Sequence, residues 1–135
     1  LGTRLETCLD ACIVLNDFNI KPTVADARFA KPLDTDLIDH LLETHEFLVT
    51  IEEGSIGGFA SHVLNYINNI RKKRTTTIIK NIFFQDKFID HMDPDDQYKE
   101  AQMDINSIIE KITSLFDNKV IDIKNKNAKK VDKIV

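Results

Sequence analysis

The sequence has few of the residues that build disulfide-rich, collagen-like or membrane-spanning proteins. Its 135 residues include no Trp, two Cys, three Pro and four Gly. Two thiols cannot form a disulfide framework, and no apolar run approaches the roughly 20 residues needed to cross a bilayer. The chain also lacks a basic excess, because its formal net charge is -4. Since phosphate recognition requires a concentrated basic surface, we expect neither a nucleic-acid partner nor a membrane partner.

What is present is the composition of an ordinary folded domain, with 42% hydrophobic residues. The length suits one domain with its own core. Because the chain begins at Leu1 rather than Met, we interpret it as a piece of a longer polypeptide. Cys8 and Cys12 lie one turn apart on a predicted helix, where packing is the expected role and a metal pair is the alternative. Unpaired thiols favour a reducing compartment.

Apolar residues at helical spacing predict several helices, and short polar side chains mark where they begin. Such side chains accept hydrogen bonds from the first free backbone N–H groups of a helix. The predicted caps are Thr3, Asp34, Asp93 and Asp104. A further helix is expected to open at Gly57-Gly58 and to end at the basic run 71–74, where the helix dipole favours cations.

Three short runs of apolar and β-branched residues predict strands that begin near residues 23, 47 and 76. A predicted helix lies between each pair, and successive βαβ units imply a parallel sheet. The expected fold class is therefore α/β, a three-layer sandwich with a mostly parallel sheet flanked by helices. We assign residues 1–116 to this domain, with its first strand truncated. Residues 117–135 form a Lys/Asn-rich tail, in which 119–123 is a candidate edge strand.

Carboxylates and glycines cluster directly after the second predicted strand, as Glu52, Glu53, Gly54, Gly57 and Gly58. Ligands of parallel sheets gather beyond this end of the strands. The glycine spacing resembles a phosphate cradle, but it lacks the Lys-Ser/Thr of a P-loop, and two carboxylates would repel an anion. The favoured interpretation is structural: the glycines permit positive φ or close approach, and a carboxylate caps the next helix. Contact with another domain is the main alternative.

The neighbouring loops carry the remaining candidates for structural or interface roles. Asp26 and Arg28 follow the first predicted strand, and Arg28 is predicted to form an internal ion pair with Glu52 or Glu53. Lys31 and His91 are expected on loops that face solvent or another domain. The four histidines lack the spacing of a metal site, so we expect surface or capping roles for them rather than catalysis or metal binding.

Three motifs carry a resemblance to a known family. DARFAKPLD at residues 26–34, HEFLVTIEEG at 45–54 and GGFASHV at 57–63 resemble the C-terminal domain of the 1-deoxy-D-xylulose-5-phosphate synthases. The resemblance runs from Gly2 to about Phe116, and the wider transketolase C-terminal family shares a looser version of it. Met92 replaces a usual glycine, and Gln102-Met103 replaces a common Gly-Leu, so the turns there are expected to differ.

This resemblance implies a homodimeric transferase that uses thiamine diphosphate and Mg²⁺. Such an enzyme joins pyruvate to D-glyceraldehyde 3-phosphate, releases CO₂ and feeds isoprenoid, thiamine and pyridoxal synthesis. It further implies that upstream domains hold the cofactors, and that this domain supports packing and the dimer but is inactive alone. The alternatives are a transketolase, a 2-oxoacid dehydrogenase β-subunit, or a stand-alone module that binds a phosphorylated ligand. The Asn/Lys/Ile-rich composition suggests an AT-rich genome. The resemblance implies a plastid location in a eukaryote, with the bacterial cytoplasm as the alternative.

Overall fold

The computed structural model describes residues 2–86 and 89–117. In order, these ranges contain α1 (Leu5–Asp17), α2 (Thr35–Thr44), β1 (Phe47–Ile51), α3 (Phe59–Asn65), β2 (Ile78–Ile82), α4 (Pro94–Glu100) and α5 (residues 105–117). A turn of π-helix, Tyr66–Ile70, continues α3. Within the described ranges, no helix is long and apolar enough to cross a membrane.

The two strands pair in parallel, with Phe47 opposite Ile78 and Ile51 opposite Ile82. At one end of the ladder Ile78 N–H donates to Glu46 O, and at the other Glu52 N–H donates to Ile82 O. Hydrogen-bonding groups alternate between the two edges of a parallel strand. Residues 46, 48, 50 and 52 therefore bond toward β2, whereas the backbone groups of 47, 49 and 51 are directed toward the opposite edge. The second and third predicted strands are confirmed.

Helices cover both faces of this small sheet. On one face, Leu48 packs against a core cluster from α2, α3 and the π-helical turn: Ile38, Leu42, Val63 and Tyr66. On the other, Val49 and Ile51 pack against a cluster formed by Ile82, Ala101 and Met103. Successive side chains of a strand point to opposite faces, which explains why Leu48 and Val49 enter different clusters. The predicted α/β sandwich, with helices on both faces of a parallel sheet, is therefore confirmed.

The first predicted strand is absent, because residues 20–29 have no regular secondary structure. A strand is defined by ladder bonds to a neighbour, and this segment has β-type residues but no such ladder within the described chain. Residues 23–27 instead line a cavity of about 410 Å³ together with residues 47–51 of β1. The predicted tail, apart from Asp117, and its candidate strand at 119–123 lie outside the described residues.

Three of the four predicted helix caps are confirmed. Asp34 Oδ1 accepts from Leu37 N–H at 3.0 Å, and Asp93 Oδ1 accepts from Asp95 N–H at 3.1 Å. Asp104 Oδ2 accepts from Ser107 N–H at 3.4 Å. The prediction for Thr3 is wrong: α1 has no side-chain cap, and the Thr3 hydroxyl donates to Glu53. The Thr3 hydroxyl oxygen accepts from Arg4 Nη2 at 3.5 Å rather than from a backbone N–H of α1.

The basic run after the π-helical turn contains one residue that faces inward. The Arg71 side chain is 3% exposed, and its Nε donates to Asp39 Oδ1 at 2.6 Å. This hydrogen bond holds the pKa of Asp39 below its usual range. Lys73 extends the contact, since its Nζ lies 2.6 Å from Glu43 Oε1. Arg71 and Lys73 thus link the chain after the π-helical turn to α2.

Met103 provides a test of the second core cluster, because its side chain is fully buried. We expect Met103→Ala to lower the free energy of unfolding by about 2–5 kcal/mol through lost burial and the cavity left behind. The measurement is urea denaturation followed by circular dichroism. Ile13→Ala is the control, since Ile13 is 69% exposed and should change stability by less than about 0.5 kcal/mol. Equal losses in both variants would contradict this core assignment.

Candidate functional site

The glycine- and carboxylate-rich junction connects the end of β1 to the start of α3. Its central residue is Glu52, which is only 5% exposed. Glu52 Oε2 accepts from Phe59 N–H at 2.7 Å, and Oε1 accepts from Ala60 N–H at 2.9 Å. These donors belong to the first turn of α3, where backbone N–H groups lack partners within the helix. The predicted carboxylate cap is therefore confirmed, and Glu52 is the residue that provides it.

The glycines of the junction make room for this carboxylate. A Cβ on Gly58 would lie 2.3 Å from Glu52 Oε2, and one on Gly54 would lie 3.2 Å from the same oxygen. Gly57 has φ +106, a conformation that side-chain-bearing residues rarely adopt. Close approach at two glycines and a left-handed turn at the third account for the pattern, as expected from the sequence.

This geometry does not favour the phosphate-binding alternative. An anion at the start of α3 would need the N–H groups of Phe59 and Ala60, and the Glu52 carboxylate already binds both. A buried carboxylate at that position would also repel a second negative charge. The Glu52 carboxylate, which belongs to the junction itself, therefore links the end of β1 to the start of α3.

Glu53, the next residue, belongs to a different cluster that joins three parts of the chain. The Thr3 hydroxyl and the Tyr98 hydroxyl both donate to Glu53 Oε1. Arg4 Nε lies 3.1 Å from the same oxygen, and the Arg4 guanidinium stacks 3.5 Å from the centroid of the Tyr98 ring. These contacts hold the start of α1 and the middle of α4 at the carboxyl end of β1.

Charge and hydrogen bonding make Glu53 a stronger acid than usual. Burial works to raise its pKa, but the hydrogen bonds from Thr3 and Tyr98 and the positive charge of Arg4 outweigh it, so the pKa is lowered. The carboxylate is therefore ionised at neutral pH. The cluster is an ion pair with two neutral donors, which is suited to holding segments together.

Arg28 takes no part in either carboxylate site, so the predicted ion pair with Glu52 or Glu53 is wrong. Arg28 is exposed, has φ 55, and donates its backbone N–H to Asp26 Oδ1 at 3.2 Å. Both Glu52 oxygens accept backbone N–H groups, and Arg4 is the cation beside Glu53. The two carboxylates are thus satisfied without Arg28.

The other predicted residues lie on the surface. Asp26, Lys31 and His91 are all exposed, and Lys31 precedes Pro32 through a cis peptide bond. Their exposure places them where solvent or another domain can reach them. An interface role for these residues and for Arg28 stays a prediction.

The described residues offer no fitting site for Mg²⁺. Within ranges 2–86 and 89–117, no group of three or more His, Cys, Asp or Glu side chains is arranged to hold a metal. Cys8 and Cys12 are free and half-buried, and both line the cavity beside β1. Burial raises the pKa of each thiol, which favours the neutral form over the metal-binding thiolate.

Arg4 and Tyr98 are the residues that reasoning from the sequence missed. Tyr98 left a signal, because it is the single aromatic residue in the polar stretch PDDQYKE and so marks the inward side of α4. Arg4 left none: it precedes α1 in a segment that looked like an ordinary helix start. Its partner lies about fifty residues away, at the end of a strand.

Comparison with known proteins supports one family. A family model described as the C-terminal domain of transketolase matches residues 1–108. The chain is 45% identical over 114 residues to a probable 1-deoxy-D-xylulose-5-phosphate synthase 2, chloroplastic, from Oryza sativa subsp. japonica. This match covers 84% of the chain but 16% of the relative, so the chain spans a small part of that protein's length.

Glu52→Gln tests the cap. The amide keeps one acceptor oxygen but turns an NH₂ group toward the second backbone N–H, and we expect a loss of about 1.5–3 kcal/mol in the free energy of unfolding. The measurement is urea denaturation. Glu110→Gln makes the same chemical change at an exposed position of α5 and should cost less than about 0.5 kcal/mol. An unchanged midpoint for Glu52→Gln would rule out the cap as a stabilising contact.

Glu53 makes the stability depend on pH in a predictable direction. Because its folded pKa lies below the ordinary value of 4.5, its contribution is complete above that value and is lost as pH falls through the lower folded pKa. We expect Tyr98→Phe to raise the Glu53 pKa toward its ordinary value, so that the pH-dependent loss of stability becomes smaller and is complete at a higher pH. NMR titration of the Glu53 carboxyl carbon measures the shift.

Tyr66→Phe is the matched control for this titration. The Tyr66 hydroxyl bonds to Asp39 and helps to lower the pKa of that carboxyl instead. Tyr66→Phe should therefore move the Asp39 titration and leave Glu53 unchanged. The reverse pattern, or no shift at Glu53 in Tyr98→Phe, would remove Tyr98 from the Glu53 cluster.

Proposed function

Because this chain belongs to the transketolase C-terminal domain family, we propose that it is the C-terminal domain of a 1-deoxy-D-xylulose-5-phosphate synthase. The observation that supports this most strongly is the 45% identity to a probable synthase over 84% of the chain. In this proposal the whole enzyme condenses pyruvate with D-glyceraldehyde 3-phosphate, releases CO₂ and forms an isoprenoid precursor. The chloroplastic relative supports a plastid location.

We assign the cofactors to other parts of the polypeptide. The described residues provide no fitting ligand group for Mg²⁺, and Glu52 occupies the N–H groups of α3 that would otherwise attract a diphosphate. Thiamine diphosphate, when bound, supplies carbanion stabilisation to enzymes of this kind. The residues of this domain hold their own loops in place: Glu52 fixes the start of α3, and Glu53 holds the start of α1 and the middle of α4.

The proposed role of the domain, residues 1–116, is to pack against the other domains and to support a homodimer. Two large apolar side chains near the candidate loops support it, since Phe29 is 67% exposed and Ile56 is 68% exposed. Exposed apolar groups beside charged ones are common where domains meet. We assign Arg28, Lys31 and His91 to interface contacts as well, because they are exposed and lie outside the helices and strands.

An activity assay of the full-length polypeptide that contains this chain tests the proposal. With thiamine diphosphate and Mg²⁺ added, we expect pyruvate labelled at C2 to give one labelled sugar phosphate, only when D-glyceraldehyde 3-phosphate is present. NMR of the labelled carbon detects the product. Transfer between sugar phosphates without pyruvate would indicate a transketolase, and acyl transfer from pyruvate to a lipoyl group would indicate a 2-oxoacid dehydrogenase.

A variant in this domain can show whether the domain stabilises the fold or takes part in the reaction. In the full-length protein, Glu52→Gln should reduce the folded fraction on warming but leave turnover per folded molecule within about twofold of the parent, because the residue touches no reacting group. Glu110→Gln should change neither quantity. A large fall in turnover at full folded fraction would contradict the purely supporting role.

A further inference from the structure

The outer face of α1 is both apolar and acidic. Five exposed residues of this helix follow the spacing i, i+3, i+4, i+7 and i+11, so they lie on one face. They are Glu6, Leu9, Asp10, Ile13 and Asp17. The opposite face packs inward through Ala11 and Leu15, which are buried. With Phe18, which directly follows the helix, the five exposed residues form what we call the α1 stripe. Its three apolar side chains are each at least 50% exposed.

The α1 stripe also carries negative charge that has no counter-charge nearby. Helix α1 contains three acidic residues and no Lys or Arg. Within ranges 2–86 and 89–117, the ion pairs involve other carboxylates, and none includes Glu6, Asp10 or Asp17. Asp17 lies in the last turn, where the helix dipole already disfavours negative charge. A partner that brings apolar side chains together with cations would therefore suit this surface.

We propose that the α1 stripe is the docking site for the chain's own Lys-rich segment, residues 118–135. The first support is charge. This segment has six lysines and two aspartates, so its formal charge is +4. Residues 1–117 keep the other 12 basic and 20 acidic residues of the chain, for a formal charge of -8. The two parts attract each other, and their covalent connection makes the attraction independent of protein concentration.

The second support is the pattern of apolar residues within the segment. Val131, Ile134 and Val135 follow the spacing i, i+3 and i+4, which places residues on one face of a helix. The lysines at 129, 130 and 133 fall on the remaining side. Apolar side chains of this pattern can pack on the α1 stripe, while the long lysine stems reach past them to the carboxylates. The segment thus offers both kinds of group that the stripe lacks.

The third support is position. Phe116 packs on Phe47 with ring centroids 4.7 Å apart, so the segment starts beside the amino end of β1. Leu15, in the last turn of α1, lines the same cavity as Phe116, so α1 and α5 end on the same side of the sheet. Helix α1 is about 20 Å long, a distance that about six extended residues cover. The 18 residues of the segment are therefore enough to run back along the α1 stripe.

A second copy of the chain is a weaker occupant. A symmetric contact between two α1 stripes would place three carboxylates against three others, and like charges repel. A different domain of the longer polypeptide is the other alternative, and the experiment below distinguishes it. Docking of the segment does not depend on which reaction the whole protein catalyses.

Carbodiimide cross-linking of the full-length polypeptide, read by mass spectrometry, tests this docking. The reagent joins a lysine amine to a carboxylate only where the two groups are in contact. We expect the lysines of 118–135 to link to Glu6, Asp10 or Asp17 at least about fivefold more often than to Glu110. Glu110 is also exposed, and it lies nearer to the segment along the chain, so its links measure random collisions.

A variant of the apolar part separates docking from general charge attraction. Ile13→Ser should lower the yield of links to the α1 stripe at least about threefold, because serine offers little apolar surface. The side chain is mostly exposed, so the variant should fold. Ile70→Ser is the matched control, since Ile70 is also mostly exposed but lies outside the stripe, and it should leave the yield unchanged.

Links to Glu110 as frequent as those to the α1 stripe, or an unchanged yield in Ile13→Ser, would overturn the proposal. Links from the stripe to lysines of another domain would assign the surface to that domain and equally overturn it. Links between isotope-labelled and unlabelled chains in a mixture would assign it to a second copy, with the same consequence. Because activity plays no part in this readout, each of these results would leave the proposed function unaffected.

Discussion

The pair of hydrogen bonds from the backbone of Phe59 and Ala60 to the Glu52 carboxylate sets the geometry of this domain at the carboxyl end of the sheet. A carboxylate that is 5% exposed requires strong partners, and the first turn of a helix supplies them. The contact demands a glycine at position 58, because a Cβ would lie 2.3 Å from the carboxylate. It thereby fixes where β1 ends and where α3 begins.

The alternation of side chains explains how adjacent acidic residues serve separate contacts. In extended chain, neighbouring side chains point in opposite directions. Glu52 turns toward α3, and Glu53 turns toward Arg4 and Tyr98. The two carboxylates therefore tie the strand end to three helices. Since the Glu52 carboxylate accepts from the first N–H groups of α3, the junction is a structural connection between strand and helix, which agrees with the supporting role proposed for the domain.

The two edges of β1 have different neighbours. One edge of β1 pairs with β2 in full register, and the other borders the apolar cavity that it shares with residues 23–27. The contacts of Thr3 and Arg4 with Glu53 hold the start of α1 at the carboxyl end of β1. Both faces of the sheet are covered, because Leu48 packs against one core cluster and Val49 packs against the other.

Local patterns in the sequence determined β1 and β2, the caps at Asp34, Asp93 and Asp104, the carboxylate cap and the family resemblance, because each depends on residues close together along the chain. Tertiary structure decided which residues far apart in the sequence make contact. Arg4 rather than Arg28 pairs with Glu53, because the partner of a cation depends on distance in space. The Thr3 hydroxyl donates to the same carboxylate and does not cap α1. Residues 23–25 have strand-forming side chains but pair with no strand in ranges 2–86 and 89–117, and a strand exists only where a neighbour completes its hydrogen bonds.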